Sequence, residues 1–363
     1  MSEGSARHGP MDALRGLVIV LMALDHVRGF FTPAGADPTD LDQTTLGFFA
    51  MRWVTHLCAP AFVLLMGAGA ALRHARRPEG TTRFLLTRGL WLILLELTWI
   101  SFAWSWDPGF RYLGVLWALG ASMVLLVPFT RLPAWTGVAV GVLGTVAIAV
   151  VGAERGDPGV GFWLQPASLE LAGMNVRASY AAVPWFLAAA VGWGSAHWLV
   201  TARRQHIGLV GAGAAALGLG LRLLGVGNPR PWADTPDAFA TALDVLHLDK
   251  YPPSLDFLLV FLGLGLVLLA GPLPGDGPVR RWLRMLGRVP MFFYLLHLPF
   301  AHAAGNALAW VWFGQARIPP SEPVRLWLVL LAWGGVVAAL TPLCAAWGRL
   351  KQRRRDLWWL AYL

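Results

Sequence analysis

Charge is scarce in this 363-residue chain: only 13% of residues are Asp, Glu, Lys or Arg, about half the share usual in a soluble domain, while 56% are hydrophobic. That shortage excludes the two or three soluble domains the length alone would allow. Cysteine is nearly absent too. Cys58 and Cys344 both fall inside apolar runs, so neither a disulfide framework nor a cysteine metal site is indicated. The chain has no internal repeat, no segment long enough to stand alone as a soluble domain, and no carboxylate–histidine spacing typical of a metal centre. No metal is therefore expected. The formal charge of +9 does not suggest nucleic acid, because the basic residues are not interleaved with aromatics on a soluble face but sit between apolar runs. A cleavable leader is not expected either. The first apolar run carries Asp12, Arg15, Asp25, His26 and Arg28 and lacks a small-residue cleavage site, so it reads as a retained helix.

What the chain does have is long apolar runs, such as 84–102, 137–152 and 326–348, each near the roughly 20 residues that a bilayer core of about 30 Å requires. They predict an all-α, polytopic membrane helix bundle, a single transmembrane domain over residues 1–363. About ten transmembrane helices are expected, at roughly 12–31, 47–72, 84–105, 111–130, 134–153, 179–201, 206–226, 254–271, 289–313 and 325–349. The 20 tryptophans often flank these runs, as in an interfacial aromatic belt. With the amino terminus inside, inner connections hold 18 Lys and Arg and outer ones six: Arg111, Arg155, Arg177, Arg230, Lys250 and Arg317. By the positive-inside rule both termini are expected in the cytoplasm. Gly-rich stretches at 137, 141 and 144 and at 208, 211 and 213 suit close helix packing.

Ionisable groups at membrane depth are costly, on the order of 3 kcal/mol on insertion scales, so each needs a partner or a task. The first predicted helix contains several. Eleven residues separate Arg15 from His26, which is three turns plus about 20°, so both point to one side, roughly 16 Å apart along the axis. Asp25 is placed to orient His26, and imidazole is the usual general base near neutral pH. In the second helix Arg52 and His56 lie one turn apart, and Pro60 would free the His56 carbonyl and cause a local break. Glu96 falls mid-span in the third. Lys250, Tyr251 and Asp256 surround the diproline that opens the eighth, a feature equally suited to starting a helix. In the ninth, His297 and His302 are five apart, about 140° around the axis, with Pro299 between them. Each of these histidines also suits a structural role, hydrogen-bonded to a neighbouring helix.

Asp12-x-x-Arg15-Gly16 with Met22, Asp25 and His26, then Arg52-x-x-Thr55-His56-x-x-Ala59-Pro60 and Gly67, resemble the bacterial integral membrane family with a heparan-alpha-glucosaminide N-acetyltransferase-like catalytic domain. The likeness continues through Arg83 to Glu96, Lys250 to Ser254, and Arg288-x-Pro290 with Tyr294, His297 and His302. More distantly, the Arg15 to His26 spacing and Tyr294-Leu-Leu-His297 are similar to motifs of the acyltransferase family 3 membrane enzymes, in which the early histidine is the proposed catalytic residue. The lysosomal acetyltransferase carries its catalytic histidine in the first luminal loop. Here residues 32–46 contain no histidine, so the role would fall to His26 or His56.

The resemblance implies acyl transfer from cytoplasmic acyl-CoA, foremost acetyl-CoA, to a hydroxyl or amine of a glycan or lipid-linked acceptor reached from the outer side of a bacterial inner membrane. In that expectation His26, oriented by Asp25, is general base or transient acyl carrier, with His56 or His297 as a second proton carrier or oxyanion partner. Arg15, Arg52, Arg83 and Arg88 would hold CoA phosphates, and Lys250, Tyr251, Asp256 and His302 would line the acceptor side. A proton-coupled transporter or channel would use the same buried charges as a pathway. A purely structural membrane subunit would explain the helices but not those charges. A homo-oligomer is left open.

Overall fold

The computed structural model describes every residue except 1–8, 41–43, 152–161, 172, 236, 272–276, 355 and 363. Arg7, Arg155 and Arg355 of the charge count, and the end of the fifth expected helix at 152–153, lie outside the described residues. In chain order the elements begin with α1 (Gly9–Phe31), α2 (Leu46–Thr55), α3 (Cys58–Arg76), α4 (Thr81–Leu95), a π-helical turn (Glu96–Ile100), α5 (Ser101–Ser105) and β1 (Phe110–Leu113). Next come α6 (Val115–Leu125), α7 (Trp135–Val151), β2 (Ala167–Leu171), β3 (Met174–Ala178), α8 (Ala182–Thr201) and α9 (Arg204–Leu223). The last are α10 (Ala238–Leu246), α11 (Leu255–Ala270), α12 (Pro278–Gly287), α13 (Pro290–Phe313) and α14 (Leu326–Arg353).

Helix accounts for 73% and strand for 5% of the structure. Helices overlap each of the ten expected segments, and among the described residues four stretches are long and apolar enough to cross a membrane: Leu46–Arg76, Thr81–Ser105, Arg204–Leu223 and Leu326–Arg353. Large apolar side chains such as Leu143, Val150, Leu209, Leu217 and Leu331 are exposed on these and neighbouring helices, the surface a lipid solvent favours and water does not. As the proline at position 60 leads one to expect, the second segment breaks at His56–Leu57, leaving Pro60 in the first turn of α3.

Three features depart from the expected layout, and the first of them also from the all-α pattern. The start of the fourth expected helix is strand β1, which pairs in parallel with β3, while β2 pairs antiparallel with β3, giving the order β1-β3-β2. Phe110-Arg111-Tyr112-Leu113 is aromatic and short, and Gly114 separates it from α6, so the apolar run is divided between a strand and a helix. The connection around 240 contains α10, capped by Asp237 through the Phe239 N–H at 2.9 Å. The 280–288 connection is helix α12, whose Leu283 and Leu286 are buried while Arg281 is exposed and Arg280 and Arg284 are half-buried.

The chain divides into two compact units. One spans Ala59–Pro272 and contains α3 through α11 with the small sheet. Its helices approach through glycine. A Cβ at Gly67 would meet the Ala189 carbonyl at 2.0 Å, and one at Gly141 would meet the Leu187 carbonyl at 2.6 Å, so α8 lies backbone to backbone with α3 and α7. Gly211 faces Gly263 of α11 in the same way, whereas Gly213 has open space around it. Trp185, Phe257 and Phe261 fill the interior, and Glu96, fully buried, accepts the Trp117 N–H at 2.9 Å at the start of α6, whose Gly114 cannot cap it.

The other unit joins Gly9–Cys58 to Leu273–Leu363 and contains α1, α2, α12, α13 and α14. At its centre α1 buries Leu14, Val18, Ile19 and Val27. Gly16 and Gly287 seat α12 directly on α1: added Cβ atoms would come within 1.9 Å of the Leu283 carbonyl and 1.8 Å of the Asp12 carbonyl. Gly305 of α13 abuts the Phe30 carbonyl, and Trp333 of α14 donates to the Val20 carbonyl at 2.9 Å. Gly314, at φ +69°, ends α13 in the left-handed conformation usual for a helix stop.

Candidate active site

Adjacent positions on a helix diverge by about 100°, so α1 delivers Asp25 and His26 to different neighbours. Asp25 receives a single Arg52 nitrogen on both carboxylate oxygens, at 2.6 and 2.8 Å, and Arg28 on Oδ1 at 3.2 and 3.3 Å. All three side chains are only 13–15% exposed. Thr45 caps α2 and thereby sets the helix that presents Arg52.

His26 turns to α13. Its Nδ1 lies 2.7 Å from Nε2 of His297, with the rings stacked at 5.0 Å and 20°. Tyr294, one turn before His297, meets His26 edge-on at 6.1 Å. His297 is fully buried, and its Nδ1 is 3.2 Å from the Phe293 carbonyl on the same helix. A carbonyl can only accept, so the His297 proton resides on Nδ1 and its Nε2 offers a lone pair. In the neutral pair Nδ1–H of His26 donates to that lone pair, leaving Nε2 as the basic nitrogen of His26. The tautomer expected from Asp25 thus follows from α13.

Other predicted site residues have distinct settings. His56 closes α2, 4% exposed, its N–H bonded to the Arg52 and Trp53 carbonyls. His302 stacks on Phe30 at 4.5 Å, on the other side of Pro299 from the pair. Arg15 pairs with Asp12 at 3.2 Å, and Asp12 also meets Arg288 at 3.5 Å. Arg83 and Arg88 lie on α4 in the other unit, the first exposed and the second half-buried. Lys250, 6% exposed and in that same unit, lies over the rings of Tyr180 and Tyr251 at 5.5 and 5.1 Å. Asp256 is fully buried at the head of α11, held by Ser254 and by Asn228 at 3.0 Å.

Two cations escaped the site reading. Arg28 is the second partner of Asp25, three residues away on α1, a spacing visible in the sequence. Arg222, 1% exposed, donates to the Asp244 and Val245 carbonyls at 3.0 and 3.2 Å and ties the 228–249 segment to α9. An arginine in a glycine-rich apolar helix is the signal that marks it. Among the described residues no group of three or more His, Cys, Asp or Glu is placed to hold a metal ion.

The family described as heparan-alpha-glucosaminide N-acetyltransferase, catalytic, matches residues 7–226. The chain belongs to this family. No individual curated protein matches it. The heparan-alpha-glucosaminide N-acetyltransferase family and the apolar helices together make this a membrane protein and an acetyltransferase by family. Asp25, His26, Arg52 and His56 lie within the matched residues, and His297 lies beyond them.

Proposed function

We propose that the chain transfers an acetyl group from acetyl-CoA to a hydroxyl or amine of a glycan or lipid-linked acceptor, with His26 as general base. The observation that carries this reading is the 2.7 Å contact between His26 and a fully buried His297. As the acceptor oxygen or nitrogen attacks the thioester carbonyl carbon, Nε2 of His26 takes the acceptor proton. The carbon–sulfur bond then breaks, and the proton passes from His26 to the leaving thiolate, giving acetylated acceptor and free CoA. His297 acts as a positioning residue: by accepting from Nδ1 it holds the ring and favours the imidazolium that forms midway. Asp25 is paired with both Arg52 and Arg28, so it is not an unpaired anion beside the base.

The same reading has about ten spans, both termini and the donor in the cytoplasm of a bacterial cell, and the acceptor on the outer side of its inner membrane. The charge bias of the connections supports it, and reporter fusions near 80 and 204 should read cytoplasmic and those near 240 external. The chemical test is turnover of acetyl-CoA with a cell-envelope extract as acceptor. His26→Gln keeps a hydrogen-bonding side chain but carries no proton at neutral pH, and should reduce turnover by about 10²- to 10⁴-fold with folding intact. Near-normal turnover in that variant would remove His26 as the base.

A further inference from the structure

In the unit built on α1, α12 and the carboxy-terminal end of α14 enclose an open cavity of about 560 Å³ lined by Arg281, Arg284, Arg288, Arg349 and Lys351. Among the described residues no Asp or Glu lines it. Helical spacing builds it. Arg281, Arg284 and Arg288 recur at three and four residues along α12 and its exit, and Ala345, Gly348, Arg349 and Gln352 recur at three and four along α14. Two stripes therefore face one concavity, with alanine and glycine on the α14 side leaving room. Charges that only mark the inner side of a membrane protein need not converge. Five that converge on one hollow raise the local potential above that of scattered cations, even with Arg288 also meeting Asp12 at 3.5 Å. The floor is rigid, because Gly16 and Gly287 lock α12 against α1. α14 is a candidate span, so its end places the cavity where both soluble anions and lipid headgroups have access.

We propose that this cavity is a binding site for phosphate groups. Two sources share that chemistry: the phosphorylated nucleotide end of the thioester donor, which rests on the acetyltransferase reading, and the headgroup of an anionic phospholipid, which does not. α12 leads through Val289 straight into α13, and from Arg288 to His297 is nine residues, or about 13 Å along a helix. A donor anchored here by its phosphates would send its acyl arm toward the dyad.

The test uses the full chain in nanodiscs of zwitterionic lipid. Binding of 3′,5′-ADP is measured by calorimetry, and retention of phosphatidylglycerol is measured by native mass spectrometry. The variants are Arg281→Glu with Arg349→Glu, both exposed positions, and the milder Arg281→Gln with Arg349→Gln. Arg131→Glu with Arg203→Glu, exposed positions outside the cavity, controls for overall charge. Loss of about 100-fold in 3′,5′-ADP affinity in the reversal, a smaller loss in the neutral pair and none in the control would uphold the site and assign it to the donor. Loss of phosphatidylglycerol alone would uphold it and assign it to lipid, leaving the His26 test untouched. Unchanged affinity for both ligands in properly folded reversal protein would overturn the proposal.

Discussion

The substitution Asp25→Asn strips the negative charge from between two guanidinium groups, all three side chains being only 13–15% exposed. At an effective dielectric near 20, unit charges 4 Å apart interact by about 4 kcal/mol. Removing one member of a buried pair typically costs about 3–5 kcal/mol, because the other is left uncompensated. Asp25→Asn should sit at the upper end of that range, since it leaves Arg28 and Arg52 facing each other. Arg52→Met leaves Asp25 with Arg28, whose contacts are longer at 3.2 and 3.3 Å, so about 2–3 kcal/mol is expected. Arg28→Met leaves the closer Arg52 contacts at 2.6 and 2.8 Å in place and should cost only about 1 kcal/mol. The double variant Asp25→Asn with Arg52→Met should cost less than the sum, by about 1–3 kcal/mol. A thiol-reactive dye reads this directly: Cys58 and Cys344 are both buried thiols outside any disulfide, so they label only as the protein unfolds in detergent. An Arg52→Met midpoint as low as that of Asp25→Asn, or strict additivity in the double variant, would refute the view of Asp25 as an anion shared unequally.

Gly16→Ala and Gly287→Ala should each lower the unfolding midpoint by the equivalent of about 1–3 kcal/mol, because their Cβ atoms would fall 1.9 and 1.8 Å from backbone carbonyl oxygens. An unchanged midpoint in both would mean that α1 and α12 separate freely. Glu96→Ala should destabilise by about 1–3 kcal/mol by orphaning the Trp117 N–H, and Glu96→Gln by less, since an amide oxygen still accepts; indifference to Glu96→Ala would show that α6 needs no cap there. Burial pushes the Asp244 carboxyl up, but the Ala233 N–H and the charges of Arg230 and Arg222 outweigh it and hold the group below its ordinary range. Its stabilising effect is therefore complete above about pH 4 and lost as pH falls through the lower folded value. Limited proteolysis of the 228–249 segment should show protection fading below about pH 4 in wild type. An acid profile identical in Asp244→Asn would exclude that residue.

Residues with the strongest physical penalty were the most legible. Asp25, His26, Arg52 and His297 stand out because a charge or imidazole in an apolar run demands an explanation, and the structure gathers them in one unit. Their pairing was less legible. Sequence adjacency suggested Asp25 as the orienter of His26, but neighbours on a helix point about 100° apart, and the contact with His297 spans 271 positions. Short elements are also hidden: β1 is four residues of a longer apolar run, and α12 falls between the expected helices at 254–271 and 289–313 because its arginines mask the Leu283 and Leu286 face. Helix existence follows from local hydrophobicity, whereas partners and short strands depend on tertiary contacts.

The discontinuous unit has a consequence for the time course of biogenesis. α1 emerges from the ribosome early, yet its histidine meets its partner only after another 271 residues have been added. At roughly 5–20 residues per second this takes on the order of 15–50 s. Throughout that interval the membrane must hold α1 with Gly16 unfilled and His26 still waiting for α13, a state suited to recognition by chaperones and membrane proteases. A nascent chain interrupted before α13 would therefore carry the early motif intact and remain incapable of assembling the dyad.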